Sequence, residues 1–205
     1  MLFRSQEKKT KFKLNPRINE NPYLDNQLKQ LEMQFNATKQ RLQNKFGTKK
    51  FIVYFQSFTN TYAPIATLKA LYEKALSFDN VIGLSIGTRT DCVTDEILDY
   101  LVDLSKDKEI WIEFGIQSFY DETLIDINRG DTAENMRYWI TRSKEKGLNV
   151  CGHLIYGLPK ETQEMMLETF RQTVELKVDS IKFHPLYVVK NTLLTNEFKK
   201  GRFTP

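Results

Sequence analysis

Apolar positions along this chain follow two alternating patterns. Leu24, Leu28, Leu31, Phe35, Leu42 and Phe46 recur at threes, fours and sevens, which predicts one long helix with an apolar stripe, closed by Gly47. Phe51-Ile52-Val53-Tyr54-Phe55 is too short and too rich in β-formers for a helix, and predicts a strand buried on both faces. Pro64 then opens a helix carrying Ile65, Leu68, Leu71, Tyr72 and Leu76. Residues 81–86 read as a second strand. Thr94 caps a helix with Asp95 and Glu96 in its first turn and Ile97, Leu98, Leu101 and Leu104 on its face.

The alternation continues to the end. Residues 110–114 predict a third strand, and Thr132 opens a helix that Gly147 ends. A fourth strand over 150–155 precedes a helix over 161–176, and a fifth over 180–183 precedes a short helix near 192–199. Units of about 30 residues suit repeated βα crossovers and hence a parallel sheet. The predicted class is α/β with five visible strands, as a doubly wound sheet or an open part of a barrel. Residues 1–21 carry no apolar period and read as a polar extended or disordered segment, leaving 22–205 as one domain.

Composition narrows the class further. The hydrophobic share of 40% and charged share of 27% exclude a disordered or fibrous chain. No apolar run approaches the roughly 20 residues of a membrane span, so no membrane partner is expected. The opening MLFRSQEKKTKFK has no apolar secretory core, and two cysteines make no disulfide framework, so the expected compartment is a reducing cytoplasm. The net charge of +4 is uneven: residues 1–50 hold 12 Lys/Arg against 4 Asp/Glu, the rest 18 against 22. A basic N-terminal region of this kind offers phosphates, including those of RNA, a surface; a solvated helix face is its plainer reading.

In parallel βα folds the chemistry sits at the C-terminal ends of the strands. Those segments here are Gln56–Thr61 by sequence, then Gly87-Thr88-Arg89-Thr90-Asp91, Gly115-Ile116-Gln117-Ser118, Tyr156-Gly157-Leu158-Pro159 and His184-Pro185-Leu186. Amides, hydroxyls and glycines at one rim suit a polar small molecule with a carboxylate, hydroxyls and a heterocycle. Neither a dinucleotide nor a nucleoside-triphosphate glycine loop occurs. Asp91 and Glu113 are candidate acids or bases, or orienting partners for Arg89. His153 alternates with apolar neighbours and is read as facing a lumen, while His184, ending the last strand, is the better candidate for substrate contact. Cys151 reads as a buried filler, and Cys92 lacks a nearby base that would make it a nucleophile. Met136, Met165 and Met166 read as packing residues.

Five segments occur in a telling order: residues 55–63, Gly87-Thr88-Arg89-Thr90-Asp91-Cys92, Glu113-Phe114-Gly115-Ile116-Gln117-Ser118, Ile127-Asn128-Arg129-Gly130 and residues 153–162. Together they resemble the radical S-adenosylmethionine (SAM) superfamily, in the branch of bacterial Fe–S oxidoreductases similar to the Elongator catalytic subunit. The resemblance implies an open, barrel-like parallel fold and an enzyme whose complete form cleaves SAM reductively to a 5′-deoxyadenosyl radical acting on an unknown substrate, tRNA among the candidates. It implies that Gln56, Ser57 and Thr59 lie on the loop that holds the cofactor's amino group. Gln117 would meet the ribose, Arg129 would pair with the carboxylate beside Arg89, and Ile155, Tyr156 and Gly157 would meet adenine. Gly87 stands where some relatives carry a glutamate.

The resemblance also implies a Cys-x3-Cys-x2-Cys loop after a first strand, binding a [4Fe–4S] cluster, and no such loop occurs. The expectation is that the chain opens just inside it, with the first strand and the cluster ligands missing and no metal site of its own. Such a chain is expected to be inactive alone. Its alternative role is a non-catalytic SAM- or RNA-binding module. A sheet lacking its first strand would expose an apolar edge at residues 51–55, to be covered by a second copy or by the segment before Leu24 folding back, with the homodimer as the expected cover.

Overall fold

The computed structural model describes residues 21–201 and residue 203. The expected polar segment before residue 21 lies outside them. A long helix α1 (Leu24–Phe46) leads into five repeated units: β1 (Phe51–Phe55), α2 (Ile65–Leu76), β2 (Val81–Thr88), α3 (Asp95–Ser105), β3 (Glu109–Gln117), α4 (Asp121–Asp126), α5 (Ala133–Glu145), β4 (Asn149–Tyr156), α6 (Gln163–Glu175), β5 (Ser180–Pro185) and α7 (Leu193–Lys199). The strands pair in chain order, β1-β2-β3-β4-β5, and every pair is parallel. The sheet curls into a half-barrel with the helices outside, the α/β fold that the alternation predicts. No helix among the described residues is long and apolar enough to cross a membrane.

Threonines set the helix starts. Thr94, Thr132, Thr162 and Thr192 each accept the backbone N–H three residues on, from Ile97, Asn135, Met165 and Thr195. Each cap is worth about 1 kcal/mol. Because these starts follow the strand ends, the caps also fix where each rim segment stops.

The two sheet faces differ. Leu84, Ile86, Ile112, Phe114, Ile116, Val150 and Leu154 pack outward against Leu68, Leu98, Leu101, Met136 and Ile140 of the helices. The inner face carries Tyr54, Ser85, Glu113, His153 and Lys182, one from each strand, joined by hydrogen bonds. This corrects the expectation that β1 is buried on both faces. Ile52 and Tyr54 are 41% and 37% exposed, because the inner face of an open half-barrel has no second layer over it. The stripe of α1 is half-buried, and Phe46 lies exposed. Phe35 anchors the helix, stacked on Phe78 with centroids 4.6 Å apart and edge-on to Phe51. Among the described residues β1 pairs only with β2, and a groove of about 270 Å³ runs between its free side and α1.

One close approach tests the sheet directly. A Cβ on Gly83 would lie 2.0 Å from the backbone oxygen of Glu109 on β3. Gly83→Ala is therefore expected to cost about 2–3 kcal/mol, the scale of overpacking, and to lower the melting temperature by roughly 5–10 °C. A calorimetric melt unchanged by the substitution would contradict this packing.

Candidate functional site

A cavity of about 240 Å³ opens at the C-terminal ends of β1, β2 and β3. Tyr54, Gln56, Arg89, Glu113, Gln117, Arg129 and His153 line it with Phe58, Thr88 and two glycines. Gly87 and Gly115 belong to the lining, and each has close neighbours packed over it. A Cβ on Gly115 would come within 2.8 Å of Gln117 Nε2 and 3.5 Å of Arg129 Nη2, and one on Gly87 within 3.2 Å of the Phe55 carbonyl. The loop after β1 is pinned beside it: Asn60 Nδ2 donates to the carbonyls of Phe55 (2.9 Å) and Gly87 (2.8 Å). The hydroxyls of Thr61 and Thr88 meet at 2.5 Å. Gln117 has φ 71° where β3 slips register against β4, and this left-handed kink ends the strand at the cavity.

Arg129 reaches the cavity through its local sequence. After α4, Asn128 and Gly130 both take left-handed φ, at 52° and 69°. Asn and Gly tolerate that conformation best. Asn128 N donates to Ile125 O and Arg129 N to Leu124 O, the two bonds of a Schellman helix end. The turn drives Arg129 inward, where it is 92% buried and its Nη2 donates to Gly115 O at 2.5 Å. Its Nε is buried without a hydrogen-bond partner. Burial, then the charge of Arg89, pull its pKa below the usual guanidinium value, with Asp91 and Asp131 opposing. Such a group favours an added anion with acceptor oxygens.

Below the rim lies a buried carboxylate with several donors. Glu113, 5% exposed, accepts from Tyr54 Oη at 2.7 Å, from the Ser85 hydroxyl, and from Lys182 Nζ at 2.8 and 2.7 Å on its two oxygens. His153 Nε2 stands 2.6 Å from Oε2. Burial pushes the Glu113 pKa up, but the bonds from His153, Lys182, Ser85 and Tyr54 outweigh it and hold the carboxyl far below its usual range. Burial first, and then the bond to Glu113, raise Tyr54 well above an ordinary phenol, so it stays a donor. The Lys182 ammonium also lies 4.6 Å from the Tyr54 ring centre.

The other candidate residues fall in different places. Arg89 is held by Asp91 through bonds of 2.7 and 2.5 Å, so Asp91 is its orienting partner and Glu113 is not. Glu113 lies below the rim, out of that pair, because β3 carries it to the inner face among Lys182 and His153. Ser57 and Thr59 share the loop of Gln56 without lining the cavity. Ile155 is buried, the Tyr156 ring packs on Phe183 at 5.1 Å, and Gly157 N donates to Met166 Sδ, all outside the cavity lining. His184 stacks on His153 with planes 21° apart. Cys92 is pushed up to about 11 by burial and by Asp91, which leaves it a protonated thiol.

Cys151 is buried as expected of a filler, yet it faces the polar cluster rather than the apolar layer. Its sulfur and the donor atoms of Glu113 and His153 lie within 4.8 Å of one another, a spacing that suits a metal ion. The Lys182 ammonium already bridges both Glu113 oxygens, and burial first of all raises the Cys151 thiol pKa. The cation in this cluster is therefore the lysine. Tyr54, Ser85 and Lys182 were not singled out from sequence; their signal is a polar residue in the inward register of each apolar strand.

Comparisons with known proteins show the family and the fold. The description Radical SAM superfamily matches residues 22–173. YtqA, an uncharacterized protein of Bacillus subtilis, is 37% identical over 180 residues, covering 88% of this chain and 56% of its own. Protein YhcC of Escherichia coli is 42% identical over 156 residues, covering 75% and 50%. The chain spans about half the length of these curated relatives. Among solved structures, archaeal Methanocaldococcus infernus Elp3 with an N-terminal deletion superposes with a TM-score of 0.70 at 24% identity, covering 85% of this chain and 46% of that one. That last likeness is one of fold.

Proposed function

Given that this chain belongs to the radical SAM superfamily, we propose that its strand-end cavity binds S-adenosylmethionine and forms the cofactor half of a radical enzyme. The observation carrying this reading is Arg129: a buried guanidinium with a free Nε, in a cavity it lines together with Gln56 and Gln117. A fork of donors matches a carboxylate. Arg129 would hold the methionine carboxylate, Gln117 a ribose hydroxyl, and Gln56 with its loop the amino group. Beside its cluster, this cofactor supplies a hydrogen-abstracting one-electron reagent. The chain's own part is to orient the ligand and shield it from water.

The cluster itself does not fit this chain's residues. A [4Fe–4S] cluster of this class takes three thiolates from the protein, and the sequence holds Cys92 and Cys151 alone. Cys92 follows β2 outside the sheet's inner face, while Cys151 sits beside Glu113 and His153. The expected behaviour is binding without cleavage. After anaerobic incubation with iron, sulfide and reductant, the chain should retain no iron, and added radiolabelled SAM should be recovered intact. About four irons per chain with turnover of the label would refute this reading.

A further inference from the structure

The chain has two histidines, and both stand in one line behind Glu113. His153 Nε2 lies 2.6 Å from Glu113 Oε2, and His153 Nδ1 lies 3.2 Å from His184 Nε2. Nδ1 of His184 has no protein partner among the described residues, and His184 is exposed on the inner face of β5. We propose that Glu113, His153 and His184 form a one-way proton relay whose open end, Nδ1 of His184, accepts a proton or hydrogen bond from a hydroxyl or N–H group of the substrate. The proposed function supplies the premise that a substrate enters this lumen; the direction of the relay does not depend on it.

The direction follows from which atoms can donate. An ionised carboxylate only accepts, so His153 Nε2 must carry the proton in their bond. Neutral His153 then presents a lone pair at Nδ1, which His184 Nε2–H must fill. That leaves the lone pair of His184 on Nδ1, at the open end. When a donor group gives its proton to Nδ1, His184 Nε2 passes its own proton to His153 Nδ1. The positive charge then rests on His153, against the Glu113 carboxylate, and the donor keeps its electron pair. No oxidant is needed. The groups facing the pair are Tyr54 from β1, Ser85 from β2, Glu113 from β3, Cys151 from β4 and Lys182 from β5. Burial and the charges of His153 and Lys182 lower the His184 pKa, Glu113 opposing.

With two histidines in the whole sequence, ring-15N-histidine labelling gives four nitrogen signals to assign. Long-range 1H–15N correlation spectra of the chain at pH 8, without SAM, should show both rings in the Nε2–H form. A parent His184 in the Nδ1–H form would overturn the proposal. His153→Asn, its fold checked by circular dichroism, is the second test. Asn donates to Glu113 and accepts from His184, so His184 should remain Nε2–H, and conversion to Nδ1–H would overturn the relay. Absence of SAM binding alongside the expected tautomers would instead count against the proposed function alone.

Discussion

Replacing Glu113 with alanine is expected to lower the unfolding free energy at pH 7 by about 3 kcal/mol, the low end for breaking a buried charge pair. Lys182 would lose both its carboxylate oxygens, and the Tyr54 and Ser85 hydroxyls would lose their acceptor. The low end applies because the Lys182 side chain is 41% exposed and can turn to water. The pH dependence carries the sign. The folded-state pKa of Glu113 lies below its unfolded value of about 4.3, so its contribution is full above that value and drains away as pH falls below it. Urea titrations at several pH values should therefore show the parent losing stability below about pH 4.3 more steeply than Glu113→Ala. Equal midpoints for the two chains at pH 7 would show that the cluster is not a source of stability.

Arg129→Met is expected to do the opposite on two readouts. Affinity for SAM should fall about 100-fold, equivalent to roughly 2.7 kcal/mol, because the carboxylate loses its paired donors. Folding stability should hold or rise, since a buried guanidinium with an unpartnered Nε is costly and methionine packs in similar volume. Arg129→Lys should not restore binding, as an ammonium cannot present two parallel donors. A residue kept for packing alone would give the reverse, with loss of stability and unchanged binding. Thermal melts and binding isotherms of the same preparations separate the two.

The parallel βα order was legible because each strand is a short β-rich apolar run and each long helix repeats at threes and fours. Helix α4 was not legible: Asp121–Asp126 is six residues of mostly polar sequence, too short to show a period. The exposure of β1 was missed because an apolar run does not say whether its second face meets a layer or an open lumen. Gln56, Arg89, Gln117 and Arg129 could be placed at one rim since they follow strands or carry a recognisable Asn-Arg-Gly turn. The partners of Glu113 could not. Tyr54, Ser85, His153 and Lys182 lie 28 to 69 residues from Glu113 in sequence or further apart from one another, and they meet through strand register and curl. The same reason hid the line from Glu113 to His184.

In the proposed function the strand-end cavity is a SAM site built on Arg129. Isothermal titration of the purified chain with SAM tests it most directly, with Arg129→Met as the matched comparison. The expected result is one saturable site per chain in the parent and an affinity about 100-fold weaker in the variant. A folded parent chain that gives no saturable binding at millimolar SAM, or binds it as weakly as Arg129→Met, would rule out a SAM site on Arg129.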